Sequence, residues 1–196
     1  LDWQDLERIE SNKLDLPGIH LQLIPQRTYP YHRYLSHILG FTNQPSEEDL
    51  YLPFIHKMPL LEIGKSGIEK LSNNKIIGYP GKREIEVNAI GRVIREISKE
   101  NSINGENVII SIDLRVQKFV HEQLNQHKAG SVVVLDINTG EIISMVSIPD
   151  YNPNFIIKKP NITYWGKIID DPLSPLLNRS LQGLYAPGST FKMIVA

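Results

Sequence analysis

Cysteine is absent from the 196 residues, which rules out both a disulfide framework and a zinc site built of thiolates. That absence does not fix a compartment, because a chain of this length can rely on its apolar core. A long apolar run is missing as well. The longest stretch free of Lys, Arg, Asp and Glu is 34–46, and it contains His37, Asn43 and Gln44. A membrane-spanning helix needs roughly 20 mostly apolar residues. Charge of one sign is not in excess: 21 basic residues stand against 22 acidic ones. No face of the kind that neutralises phosphates is expected, so nucleic acid is not an expected partner. Repeats and low-complexity tracts are lacking. There is no initiator Met and no signal peptide, and the last residues, Met193-Ile194-Val195-Ala196, form an apolar run. We read the chain as a piece trimmed at both ends.

What is present reads as two mixed units. Residues 1–10 put Trp3, Leu6 and Ile9 on one helical face. Residues 18–27 alternate as a strand, with Ile19, Leu21 and Leu23 on one side. After the Tyr29-Pro30-Tyr31 turn, 31–39 is expected to be helical and to end at Gly40. Ser46-Glu47-Glu48-Asp49 looks like a helix start, and Pro53 and Pro59 break the segment into loops. A short helix is expected over 68–71, and two strands over 82–97, where Ile85, Val87 and Ala89 alternate and Gly91 marks a turn or bulge. The polar stretch 98–107 is the best linker, and the domain boundary is placed there. Residues 108–112 read as a strand, and Asp113 as the cap of a helix with Val116, Phe119, Val120 and Leu124 on its apolar face. Residues 131–137 and 141–148 flank Asn138-Thr139-Gly140 as a β-hairpin. Val132, Val134, Phe119 and Val120 are expected in one core with Met145 or Val146. The first strand is apolar on both faces, which predicts a sheet covered on both sides.

One pair stands out for chemistry: Ser189 and Lys192, three residues apart in Ala186-Pro187-Gly188-Ser189-Thr190-Phe191-Lys192. A serine hydroxyl is a poor nucleophile until a neighbour takes its proton. On a helix, positions three apart share a face, so Lys192 can reach the Ser189 oxygen. Burial of that lysine would lower its pKa and make it a neutral base, and a helix N-terminus would present the Ser189 amide to a developing oxyanion. From the pair alone, an N-cap serine beside a solvated lysine is the better reading, and it is the surrounding sequence that reverses the order. Other matches show how weak short patterns are. Ser72-Asn73-Asn74-Lys75 repeats the S-x-x-K spacing in a polar loop, Ser102-Ile103-Asn104 fits S-x-N and Lys65-Ser66-Gly67 fits K-[ST]-G. All are expected at surface loops apart from Ser189. Gly64-Lys65-Ser66 hints at a phosphate loop, but the required glycine five positions earlier is Pro59. The histidines His20, His32, His37, His56, His121 and His127 show no metal-ligand spacing and are expected at the surface or half-buried. Glu47, Glu48, Asp49 and Glu62 read as a solvated face, and Asp170-Asp171 as a helix end. No cofactor or metal is expected.

The run Asn178-Arg179-Ser180-Leu181-Gln182-Gly183-Leu184-Tyr185-Ala186-Pro187-Gly188-Ser189-Thr190-Phe191-Lys192 closely resembles the nucleophile segment of the elongation-type class B penicillin-binding proteins, whose S-x-x-K motif is shared with class A β-lactamases. The resemblance covers the whole chain. Arg27-Thr28-Tyr29-Pro30-Tyr31 and Ser36-His37-Ile38-Leu39-Gly40-Phe41 are similar to that family's R-x-Y-P-Y and H-x-x-G-Y segments. Gly64-Lys65-Ser66-Gly67-Ile68-Glu69 is similar to the G-x-x-G-[IV]-E signature of its pedestal, or dimerisation, domain, and Gly91-Arg92-Val93-Ile94-Arg95 to another pedestal segment. Ser111-Ile112-Asp113-Leu114-Arg115-Val116-Gln117, the hairpin 132–148 and Pro149-Asp150-Tyr151-Asn152-Pro153-Asn154 resemble the opening of its transpeptidase domain.

The resemblance implies an α+β fold. An incomplete pedestal would occupy 1–107, and the N-terminal part of a penicilloyl-serine transferase domain 108–196. It implies a peptidoglycan D,D-transpeptidase with Ser189 as acyl-ester nucleophile and Lys192 as general base. Peptidoglycan stem peptides would be its substrates and β-lactam antibiotics its covalent inhibitors. It further implies a periplasmic place on the bacterial inner membrane, with the anchor upstream. The implied partners are a membrane glycosyltransferase of the SEDS family and the rod-complex scaffold protein. The family's S-x-N and K-[ST]-G motifs follow the nucleophile in chain order, so the present chain is expected to be inactive alone. A division-type transpeptidase, a class D-like β-lactamase and a purely interacting module are the alternatives; the pedestal segments disfavour the β-lactamase.

Overall fold

The computed structural model describes residues 3–12, 15–16, 19, 26–51, 55, 61–89, 93–157 and 162–195. The strand expected at 18–27, the breaks at Pro53 and Pro59, the Gly91 turn, His20 and His56 lie wholly or largely outside them.

Helix α1 (Trp3–Ser11) forms where the apolar spacing places it, with Leu6 and Ile9 half-buried and Trp3 exposed. A 3₁₀ turn over His32–Leu35 runs into α2 (Ser36–Leu39), and Gly40 closes it at φ +78°, a left-handed conformation suited to glycine. Strand β1 (Thr42–Asn43) pairs antiparallel with β2 (Ile63–Gly64), and a 3₁₀ turn over Glu47–Tyr51 lies between them in sequence. Helices α3 (Gly67–Leu71) and α4 (Asn73–Ile76) come next. The Gly64-x-x-Gly67-x-Glu69 pattern has a packing reason. A Cβ on Gly64 would sit 2.1 Å from the Glu69 backbone. Glu69 itself is buried, where it binds the Arg27 guanidinium (2.8 and 3.0 Å) and accepts from the Tyr29 hydroxyl at 3.3 Å. Burial, together with the Glu69 charge, pushes the Tyr29 phenol up.

Strands β3 (Lys82–Val87) and β4 (Val93–Glu100) form an antiparallel ribbon with two register shifts. The ribbon extends through Ser98, Lys99 and Glu100, residues the sequence suggested as linker. The rest of that stretch is tied down as well: Tyr79 and Ile103 exchange backbone hydrogen bonds (2.9 and 3.0 Å), and the Glu106 amide donates to Lys75 O at 2.8 Å. Residues 108–112 are not a strand, although the Asp113 amide donates to Ile143 O at 2.9 Å.

Helix α5 (Leu114–Leu124) starts at Asp113, whose carboxylate accepts from the Arg115 and Val116 amides. Strands β5 (Gly130–Leu135) and β6 (Ile142–Ile148) make the expected hairpin, and Gly140 at φ +75° supplies its turn. Val132 and Val134 lie opposite Val146 and Ser144, so these four share a face.

Two expectations fail here. Phe119 is 62% exposed, while the buried residues of α5 are Gln117 and His121. Val133 and Leu135 on the other side of β5 are exposed, so among the described residues that face is covered only in part, where Ser147 is buried against 177–179. The first failure has a polar cause. Gln117 donates to Tyr34 O and Met145 O (2.8 and 2.9 Å) and accepts from Ser144 Oγ and the Met145 amide (2.8 and 2.9 Å). That fourfold satisfaction turns the helix toward the sheet along Gln117 rather than Phe119.

Helices α6 (Pro153–Ile157), α7 (Ile162–Ile169) and α8 (Arg179–Gln182) complete the packing. Phe41, Tyr151, Ile156 and Ile168 form a buried cluster flanked by Tyr164 and Trp165, which joins the N-terminal segment to the C-terminal part. Among the described residues the architecture is mixed helix and sheet with three two-stranded antiparallel sheets, the α+β class expected. None of their helices is long and apolar enough to cross a membrane.

Candidate active site

Ser189 sits on a 3₁₀ turn, Gly188–Phe191, which leads into the short helix α9 (Lys192–Val195). Pro187 enters with helical dihedrals, Gly188 takes φ +56°, and the Lys192 amide donates to Ser189 O. The segment therefore begins with one 3₁₀ turn, tighter than the α-helical start expected from the pattern. Ser189 and Lys192 stand one turn apart and are both exposed, and neither side chain has a hydrogen-bond partner among the described residues. The burial expected around Lys192 is not supplied by them. Met193 and Ile194 of the same helix are 85% and 77% exposed.

The segment leading to Ser189 is, by contrast, well held. Asn178 Oδ1 caps α8 by accepting from the Ser180 amide at 3.1 Å. Ser180 Oγ donates to Val146 O, and the Arg179 amide donates to Ser147 Oγ, both at 3.0 Å. Arg179 also donates through its guanidinium to Ser174 O and Leu173 O.

The other pattern matches lie elsewhere in the hydrogen-bond map. Ser72 is the turn residue between α3 and α4, and Lys75 is exposed on α4. Lys65 is paired with Asp49, which holds that carboxyl well down, at about 2. Glu62 accepts from Thr42 Oγ1 at 2.9 Å. These two acids are therefore engaged, unlike the solvated face expected. Ser102 is exposed. None of these groups is bonded to Ser189 or Lys192. A cleft of about 280 Å³ lined by Glu48, Asp49, Ile63, Lys70 and Asn73 contains neither residue. No group of three His, Cys, Asp or Glu side chains that could hold a metal comes together among the described residues.

A buried cluster was not foreseen. His121 Nε2 donates to Asp150 Oδ2 at 2.5 Å, Arg33 approaches the same carboxylate at 3.6 Å, and Tyr34 meets the His121 ring edge-on at 4.8 Å. The signal available was the i, i+4 spacing of Gln117 and His121, two polar residues on one helical face.

Two family models match the chain. The penicillin-binding protein dimerisation domain matches residues 1–110, and the penicillin-binding protein transpeptidase domain matches residues 130–196. The chain thus belongs to the penicillin-binding protein family. Within that family it is similar to the peptidoglycan D,D-transpeptidase MrdA of Salmonella typhimurium, at 34% identity over 98% of this chain and 32% of the relative. It is also 34% identical to the peptidoglycan D,D-transpeptidase FtsI of Escherichia coli, over 93% of this chain and 27% of the relative. Among solved structures, it resembles the penicillin-binding protein PBP2 of a Helicobacter pylori PBP2–MreC complex. There the TM-score is 0.85 at 28% identity, covering 98% of this chain and 36% of that one. The chain spans about a third of the length of the curated relatives it matches.

Proposed function

We propose that this chain is part of a peptidoglycan D,D-transpeptidase of cell elongation, with Ser189 as nucleophile and Lys192 as its general base. The observation that carries the reading is the position of Ser189-x-x-Lys192 at the head of a helical segment inside a region matched by the transpeptidase domain. In the whole enzyme, Lys192 Nζ takes the Ser189 proton as Oγ attacks the penultimate D-alanine carbonyl of a stem peptide. The Ser189 amide lies in the first turn, where amides have no intrahelical partner, and is suited to the tetrahedral oxyanion. Collapse expels the terminal D-alanine, whose amine takes up a proton, and leaves an ester on Ser189. The amine of a second stem peptide attacks that ester, restoring the serine hydroxyl and forming the cross-link. A β-lactam opens on the same oxygen and stays there.

Elongation is favoured over division by the fuller coverage of the MrdA relative and by the PBP2 likeness. The PBP2–MreC complex supports a rod-complex scaffold protein as partner. We further assign a SEDS-family glycosyltransferase as partner, a periplasmic site on the inner membrane, and a domain division at 107/108.

Mass spectrometry after incubation with penicillin tests the reading. In the full-length enzyme one adduct is expected, on Ser189. Ser189→Ala abolishes it, and Lys192→Ala reduces it nearly as far. The present 196 residues are expected to label weakly, because losing even one oxyanion donor costs on the order of 10²–10³ in rate. An adduct on another serine of the full-length enzyme overturns the assignment.

A further inference from the structure

Helix α8, which precedes the nucleophile in the chain, is anchored to its own domain through β6. Toward the N-terminal part, His37 contacts the approach to α8 twice. Its ring Nε2 lies 2.7 Å from Pro175 O, three residues before Asn178. Its backbone carbonyl accepts from Asn178 Nδ2 at 3.3 Å. A carbonyl only accepts, so Nε2 carries the hydrogen. Burial lowers the His37 pKa, and the nearby Arg179 charge opposes protonation as well, which favours the neutral donor. The ring is also held edge-on to Tyr151 at 5.3 Å, and the Tyr151 hydroxyl donates to Ser36 O at 3.0 Å.

Asn178 completes the link. Its Oδ1 caps α8 while its Nδ2 reaches back to His37 O, so one buried amide joins the helix start to the N-terminal part. Only Gly183 to Gly188 separates the end of α8 from Ser189. A cap alone would need an acceptor and nothing more. The amide's second bond serves the junction.

We propose that His37 and Asn178 form a latch through which the pedestal part positions the Ser189 segment for acylation. Both are positioning residues, and neither touches substrate. The inference rests on the transpeptidase reading given above. A misplacement of about 1 Å at a remote support can cost on the order of 10²-fold in rate, so breaking the latch should slow acylation without removing the nucleophile.

The test is stopped-flow acylation of the full-length enzyme by a chromogenic cephalosporin, with the rate constant and the burst amplitude read separately. His37→Phe keeps the ring contact to Tyr151 and loses the donor. Asn178→Asp keeps the cap acceptor and loses the donor to His37 O. Each should lower the acylation rate constant about 10-fold or more with full amplitude. His37→Gln retains a donor near the Nε2 position and should recover most of the loss. A reduced amplitude with an unchanged rate constant means that the residues serve folding alone, and overturns the latch. Unchanged rate constants in both variants overturn it too, provided the wild-type enzyme is acylated at Ser189. Absence of wild-type acylation at Ser189 instead overturns the functional reading beneath it.

Discussion

Two hairpins of similar length behave in opposite ways. The β5–β6 hairpin buries Ser144, Val146, Ser147 and Ile148, with α5 against one face and α8 reaching β6 at Ser147. The β3–β4 ribbon buries nothing, and Val93, Ile94 and Ile97 of its second strand are all more than half exposed. Its side chains meet instead in ion pairs, Arg83 with Glu96 and Arg95 with Glu86. Strand alternation is enough to make either pair of strands. Whether its apolar residues contribute to stability depends on a partner element, and α5 is that partner for one hairpin only. A helix seated by a fully bonded glutamine and a hairpin seated on that helix form one cooperative unit, while exposed ion pairs add little.

The largest effect should come from the joint itself. Gln117→Leu removes two donors and an acceptor from a site 1% exposed, leaving the Met145 amide and Tyr34 carbonyl without their partner. A loss on the order of 4 kcal/mol is expected, read as a fall in the urea midpoint. Its counterpart on the ribbon, Glu96→Gln, should cost less than about 1 kcal/mol because the pair is exposed. Equal losses would erase the distinction between the two hairpins.

A matched truncation comes next. Ile148→Ala empties a position 1% exposed and should cost about 3 kcal/mol. Ile97→Ala, at 62% exposure, should stay within about 0.5 kcal/mol. A large cost at Ile97 would mean that the ribbon is covered in solution by something these residues do not supply.

Much of this was legible in the sequence because it is locally encoded. The β5–β6 turn, the Asp113 cap, the Gly40 stop and the two ribbon strands arise from residues within a few positions of each other. The orientation of α5 was not legible. Hydrophobic periodicity points to Phe119, and only the distant partners Tyr34, Ser144 and Met145 show why Gln117 is the buried residue. For the site, Ser189 and Lys192 were picked out by spacing and context. The approach through His37, Pro175 and Asn178 joins residues 138 and 141 positions apart, and no local pattern encodes such pairs. The same holds for His121 and Asp150, which read as unrelated polar residues until the fold brings them together.

The smallest effect concerns how α5 begins, and it sharpens the comparison because the ribbon has no such helix. Asp113 accepts from the Arg115 guanidinium at 3.0 Å and from the Arg115 and Val116 amides at 2.8 and 3.3 Å. These bonds, the Arg115 side chain's foremost, hold its carboxyl well below the ordinary range, at about 2. An unfolded aspartate titrates near 3.9. With the folded value depressed, the contribution is fully present above roughly pH 4 and fades as pH falls toward 2. Protonation leaves the first-turn amides of α5 with a weaker acceptor and loosens the helix that backs β6. Hydrogen exchange read by NMR should show the Arg115 and Val116 amides losing protection between pH 5 and 2.5. Asn at 113 keeps an acceptor but cannot titrate, so Asp113→Asn should flatten that dependence. The exposed ribbon is expected to exchange at a level set by its own fraying, whatever the state of Asp113. If protection at Arg115 and Val116 stays constant down to pH 2.5 in the wild-type chain, the carboxylate does not seat the helix, and the docked hairpin owes its burial to Gln117 alone.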